Sequence, residues 1–228
     1  MKKADVAEFY RRLADRTPSP ETELEYVNDY TLLVAVVLSA QATDASVNKA
    51  TGELFRTVNT PAAMLELGEE RFREAIKTIG LFNTKAKNVI ALSQALIDDH
   101  AGEVPADFEA LQKLPGVGRK TANVVMNCAF EAETFAVDTH VFRVSNRTGL
   151  APGKNPLEVE LRLDRVTPQP YRRDAHHLLI LHGRYVCKAA KPECWRCNVA
   201  DLCRYKPKTP LPGTEPVRRA KAKKRKSS

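Results

Sequence analysis

The run Leu114-Pro115-Gly116-Val117-Gly118-Arg119-Lys120-Thr121-Ala122 limits the local structure of this chain more than any other segment. Two glycines flank one valine, and glycine accepts the left-handed backbone that a sharp turn demands. Asp107, Phe108, Leu111 and Leu114 precede the turn at helical spacing, and Val124, Val125 and Cys128 follow it on a second helix. The second helix starts at the turn, so its free N–H groups face the turn and suit a phosphate. Lys120 falls in that helix's first turn, where the positive end of the macrodipole disfavours another positive charge; a neutral amine is a nucleophile. A turn of this kind needs no catalysis, so the hairpin alone also fits a simple phosphate grip.

Apolar residues recur at helical spacing almost everywhere else. Val6, Phe9, Tyr10 and Leu13 form one stripe before Thr17-Pro18-Ser19-Pro20 breaks the chain. Tyr30 to Ala40 reads as a central buried helix, too short to span a bilayer. Thr43-Asp44 and Thr60-Pro61 are helix starts, Gly80 ends a helix bearing Phe72 and Ile76, and Asn83 opens a longer one. Asp138 to Thr148, Asn155 to Val166 and Tyr171 to Arg184 are also helix-compatible, and alternating strand patterns are absent. The expected class is all-α, and 228 residues with 43% apolar content suffice for one large or two modest domains.

Met1-Lys2-Lys3 is followed by an amphipathic stretch rather than a continuous apolar run, so the chain carries no secretory signal and is expected in the cytoplasm. The net charge of +8 is concentrated at one end: Val217 to Ser228 holds seven of the 36 basic residues and no acid. That tail, 207–228, is expected to be disordered; it suits either phosphate attraction or solubility.

Cys187, Cys194, Cys197 and Cys203 are spaced Cys-x6-Cys-x2-Cys-x5-Cys, while Cys128 stands apart on an apolar helix. Four thiols so close in a chain of this kind point to a metal centre over disulfides. Structural zinc and an iron–sulfur cluster both accept four cysteines, and spacing does not choose between them.

The hairpin, the segment Ala136-Val137-Asp138-Thr139-His140-Val141, the run Leu38-Ser39-Ala40-Gln41-Ala42-Thr43-Asp44 and the cysteine quartet together resemble the endonuclease III family, from about residue 22 to residue 205. The resemblance implies a six-helix barrel domain, 22–133, with a helix-hairpin-helix at 107–130. It also implies a second helical domain, 1–21 with 134–206, carrying a 4Fe–4S cluster on Cys187, Cys194, Cys197 and Cys203. The implied activity is base excision repair by a bifunctional DNA glycosylase and abasic-site lyase that removes oxidised pyrimidines. The partner would be double-stranded DNA with a damaged base or an abasic site, met by a monomer with no membrane association, at the nucleoid if the source is bacterial.

The same resemblance assigns roles. Lys120 would attack C1′ and form an imine, with strand cleavage 3′ to the lesion by β-elimination, and Asp138 would assist. Gln41 and Leu81 would fill the hole left by the extruded base. Gly116, Val117, Gly118, Arg119 and Thr121 would grip the DNA backbone. Asp138 also suits a helix N-cap, and His140 a structural role. Gln112 stands where some members carry an acid, a departure that touches damage preference. Adenine-mismatch relatives have the cluster without the lysine, and 8-oxoguanine relatives the lysine and aspartate without the cluster. This chain has both sets, which favours the oxidised-pyrimidine enzyme.

Overall fold

A computed structural model describes residues 1–214. Among them the chain forms ten α-helices and no strand, as an all-α reading requires. They are α1 (Lys3–Arg16), α2 (Asp29–Leu38), α3 (Asp44–Thr51), α4 (Pro61–Ala75), α5 (Phe82–His100), α6 (Phe108–Lys113), α7 (Arg119–Phe130), α8 (Thr139–Thr148), α9 (Pro156–Val166) and α10 (Ala175–Tyr185). No described helix is long and apolar enough to cross a membrane. The basic run from Val217 to Ser228 lies outside the described residues.

Two hydrophobic cores account for the architecture. The first gathers residues from Leu24 to Ala136 and is enclosed by the six helices α2 to α7. Its axis is α2, nine of whose ten residues are buried, the mark of a helix that is apolar all round. Asn28 starts that helix with a reciprocal cap: its side chain accepts from Thr31 N (3.0 Å), and Thr31 Oγ1 accepts from Asn28 N (3.0 Å). Helix α4 is broken at Gly68 (φ 79°), between the start at Thr60-Pro61 and the separate stretch bearing Phe72 and Ile76.

The second core is assembled from distant parts of the sequence. Val6, Phe9, Tyr10 and Leu13 of α1 pack with Phe135 and with apolar residues of α8, α9 and α10. Each large side chain buried this way contributes about 1.5–3 kcal/mol. Tyr10 is wholly buried, yet its hydroxyl meets Thr167 Oγ1 at 3.0 Å and its ring stacks on Tyr171, so no polar group is stranded.

Helices α6 and α7 form the expected hairpin. Asp107 caps α6, its carboxylate accepting from Ala110 N at 2.6 Å. Gly116 adopts the left-handed backbone (φ 79°), and a Cβ there would meet the Asn88 side chain at 3.0 Å. Gly118 does not: it is extended (φ −92°, ψ 174°) and a Cβ there would meet nothing within 4 Å. The expectation that both glycines supply positive φ therefore holds for Gly116 alone. Gly116→Ala is expected to cost about 2 kcal/mol, from backbone strain and overpacking against α5. Gly118→Ala, at a helix start where glycine is favoured only mildly, is expected to cost less than about 1 kcal/mol. Urea unfolding midpoints of the two variants check this ordering.

Candidate active site

Lys120 and Asp138 are brought together by the way the chain returns after α7. Beyond Glu131 the backbone is extended and runs back along the helix it has just left. Asn127 Nδ2 donates to Ala132 O (2.8 Å), and one turn nearer the helix start Asn123 Nδ2 donates to Phe135 O (3.4 Å). Thr134 Oγ1 donates in turn to Asn123 O (2.6 Å). Both asparagines are buried, 4% exposed, where an unpaired amide would be costly. The stitching ends with Asp138 beside the first turn of α7.

Asp138 is the N-cap of α8. Its Oδ1 accepts from His140 N and Val141 N, both at 2.8 Å, and its Oδ2 lies 2.9 Å from His140 Nδ1. The carboxylate is thus fixed on both oxygens and mostly buried. His140 sits where an added Cβ on Gly183 of α10 would lie 2.9 Å from its own Cβ, so the ring is backed by close helix packing. The start of α7 is the opposite case. Gly118 offers no side-chain cap, which leaves the first N–H groups of a twelve-residue helix free for an anion.

Lys120 and Asp138 line an open cleft of about 770 Å3 together with Ser39, Gln41, His140 and Arg184. Gln41 and Leu81 stand out in the backbone: both are left-handed (φ 55° and 61°) without being glycine, at a cost of about 1–2 kcal/mol each. Both are exposed, Leu81 to 58%. Their loops are neighbours, since a Cβ on Gly80 would lie 3.8 Å from Gln41 O.

The remaining hairpin residues divide. Val117 is buried, 6% exposed, so its side chain belongs to the first core and only its backbone faces the turn. Thr121 is half-buried. Arg119 is bound already: it forms a two-pronged ion pair with Glu160 of α9 (Nη2–Oε1 2.6 Å, Nε–Oε2 3.0 Å) and lies over the Phe108 ring.

The four clustered cysteines line a second cavity, of about 340 Å3 including its mouth, walled by Val186, Pro192 and Val199. All are free thiols. Among the described residues, no three His, Cys, Asp or Glu side chains converge closely enough to hold one metal ion. Donors surround the sulfurs: Arg147 Nη1 is 3.8 Å from Cys187 Sγ, and His182 Nε2 is 3.7 Å from Cys197 Sγ. Burial pushes the Cys197 thiol up to about 11 and raises Cys187 as well. Lys208 and Thr209, placed by sequence in the tail, bond back to this loop. Lys208 Nζ donates to Cys203 O (2.8 Å), and Cys194 N donates to Thr209 Oγ1 (3.2 Å).

Sequence reasoning passed over Asn123, Asn127, Ser39, Arg184 and Glu160. Ser39 lay inside the run 38–44 and the two asparagines inside the hairpin 107–130, but none of the five was given a role. The two buried asparagines, four apart on an apolar helix, were the available signal for the chain's return.

Comparison with known proteins adds an independent line. Residues 34–169 match the family model described as HhH-GPD superfamily base excision DNA repair protein. Endonuclease III of Escherichia coli (strain K12) is 56% identical over 92% of this chain and 100% of that protein. Endonuclease III of Rickettsia conorii is 58% identical over 88% of this chain and 95% of its own length. A trapped covalent endonuclease III–DNA intermediate superposes with a TM-score of 0.84 at 44% identity, covering 90% of this chain and 96% of that one. A thermostable thymine-DNA glycosylase superposes with a TM-score of 0.80 at 25% identity, covering 89% and 96%.

The cap predicts a separable stability effect. Asp138→Ala removes the acceptor for two backbone donors and is expected to cost about 1–2 kcal/mol. Asp138→Asn keeps an oxygen in place and is expected to retain most of that. Thermal unfolding of the pair tests it; equal midpoints would mean the cap contributes nothing.

Proposed function

The chain belongs to the endonuclease III family of HhH-GPD base excision DNA repair proteins, and we propose that Lys120 and Asp138 carry out its glycosylase and lyase chemistry on oxidised pyrimidines. The observation that carries this reading is their meeting in one cleft, the amine on an uncapped helix start and the carboxylate locked on a capped one.

Double-stranded DNA lies across that cleft, one phosphate on the free N–H groups at the start of α7. Gly116 and Gly118 keep the turn narrow, and Val117 contributes its backbone. Gln41 and Leu81, exposed on neighbouring strained loops, enter the stack where the damaged nucleotide has swung out. Strain of this kind persists where function needs a side chain held in an unfavourable direction.

As the glycosidic bond breaks, its electron pair leaves with the base, and positive charge builds on the sugar. Asp138 stabilises that charge and takes a proton from Lys120. The neutral amine bonds to C1′, and loss of the O4′ bond gives an imine. The imine acidifies the C2′ hydrogen; once that proton is removed, the C3′–O bond breaks and the strand is cut 3′ to the lesion. Water then hydrolyses the imine and frees the lysine.

Cys187, Cys194, Cys197 and Cys203 fit a 4Fe–4S cluster. Their thiols line one cavity, and four cysteines within seventeen residues are a donor set that such a cluster accepts. Arg147 and His182 are placed to donate to sulfur, the contacts that tune such centres. The cluster would hold the loop between α10 and residue 203 rigid. The chain divides into two domains, residues 22–133 and residues 1–21 with 134–206; the two cores support this division, with Ala136 of the first core lying just past the boundary. The protein works as a monomer on cytoplasmic, nucleoid DNA.

Incubation with a thymine-glycol duplex and borohydride is expected to yield a covalent protein–DNA adduct. Lys120→Gln is expected to abolish the adduct and reduce strand cleavage by at least about a hundredfold, the scale of losing a covalent catalyst. Undiminished cleavage by that variant would refute the assignment. Purified protein is expected to be yellow-brown through visible charge-transfer absorption, and Cys203→Ser to lose that colour; a colourless protein holding zinc would replace the cluster with a structural ion.

A further inference from the structure

Arg119 is the first residue of α7, immediately before Lys120, and its side chain is shared among three helices. Its guanidinium lies over the Phe108 ring of α6, 5.1 Å from the centroid, and donates by one edge to Glu160 of α9. Nη2 meets Oε1 at 2.6 Å, and Nε meets Oε2 at 3.0 Å and Oε1 at 3.2 Å. A ring against one face and a fork along one edge leave the guanidinium little freedom. Nη1, away from the fork, has no hydrogen-bond partner among the described residues.

The two partners differ in exposure: the Arg119 side chain is 45% exposed and that of Glu160 only 14%. Together with Lys120, Val137 and Pro156, which also line the main cleft, they border a recess of about 410 Å3. A strand seated over Lys120 therefore passes Arg119 next.

Electrostatic attraction alone gives Glu160 no place here. A carboxylate beside a site for a polyanion repels it, and this one offsets a cation that phosphate would otherwise attract. Glu109 of α6 adds a second negative charge near the same guanidinium. Nor is Arg119 free to change partners. Leaving a mostly buried carboxylate unpaired costs more than one exposed phosphate contact returns. The pair would thus outlast the arrival of DNA, with Nη1 left over for phosphate.

Resting on the repair reading above, we propose that Glu160 is a positioning residue: it fixes Arg119 so that the free Nη1 donors take one phosphate in the register that sets the lesion's sugar on Lys120. An unpinned arginine takes any phosphate within reach of its long stem, and the strand can then settle out of register. Glu160 thus makes Arg119 a directed donor in place of a free cation. Since α9 belongs to the second core and α7 to the first, the fork also ties the phosphate grip to the position of the second domain.

The test measures dissociation constants of the full-length protein over a salt series. One duplex carries a tetrahydrofuran abasic analogue, which has no C1′ aldehyde and is not cut; the other is the same duplex undamaged. Two quantities are read: the slope of log Kd against log salt on the undamaged duplex, and the ratio of the two constants. Glu160→Gln is expected to steepen the slope by about one, because it frees one cation to neutralise a phosphate. It is also expected to reduce the preference for the analogue by about tenfold, the scale of one misplaced charge-assisted hydrogen bond. In an Arg119→Gln background the same substitution is expected to change neither quantity. Loss of stability alone would move neither. Absence of either change in Glu160→Gln overturns the proposal. So do equal changes in the Arg119→Gln background, which would make Glu160 a bare negative charge. If Glu160→Gln does not fold, Arg119→Lys decides, since it keeps the charge and loses the fork: a reduced preference supports the proposal and an unchanged one overturns it. A wild-type protein that binds both duplexes equally would instead defeat the repair reading itself.

Discussion

The return of the chain along α7 is the constraint on which the site depends. A helix carries its first and last residues apart at 1.5 Å per residue, so Lys120 and whatever follows Phe130 begin well separated. Asn127 and Asn123 cancel that separation by holding the extended segment at two successive turns. Each amide is buried, and each would be a liability without its carbonyl. The same contacts that satisfy the asparagines therefore set the position of Asp138, and helix α8 can begin only where that carboxylate has been delivered. Structure and chemistry share these bonds, which is why the carboxylate serves at once as a cap and as a charged group facing the cleft.

The cleft lies between two cores that pack independently. One wall comes from α2, α3 and α7 of the first core, and the other from α8 and α10 of the second. Ion pairs bridge the two: Arg184 of α10 to Asp44 of α3, and Arg119 of α7 to Glu160 of α9. These pairs are partly exposed, so they orient the halves more than they stabilise them. Of the four non-glycine left-handed residues among those described, Gln41 and Leu81 lie at the rim, away from the floor where Asp138 is fully bonded, while Ala101 and Glu131 end α5 and α7. Rigidity below and strained side chains above suit a surface that must probe a polymer and then hold one nucleotide still.

Much of this was legible in the residues. The helical class, the caps at Thr43, Thr60 and Asp107, the hairpin and the cysteine loop all follow from local pattern, because local hydrogen bonds decide them. Gly116 was read correctly for its backbone. Gly118 was not, since an extended helix start and a left-handed turn both tolerate glycine. Val117 was counted with the DNA-facing residues; its side chain is buried in the first core, which leaves its backbone at the turn. The break at Gly68 falls between the helix start at Thr60 and the separate helix bearing Phe72 and Ile76, although the glycine itself was not singled out. Ion pairing of Arg119 depends on which distant helix packs there, and no local pattern encodes that.

The first core is continuous in sequence, whereas α1 packs only with helices made much later. During synthesis the six-helix unit can close while Val6, Phe9, Tyr10 and Leu13 still wait for α8, α9 and α10 to leave the ribosome. Over that interval an apolar stripe of the nascent polypeptide has no native place to go. The cleft between the cores therefore comes into being last, and a truncated translation product would expose the apolar stripe of α1.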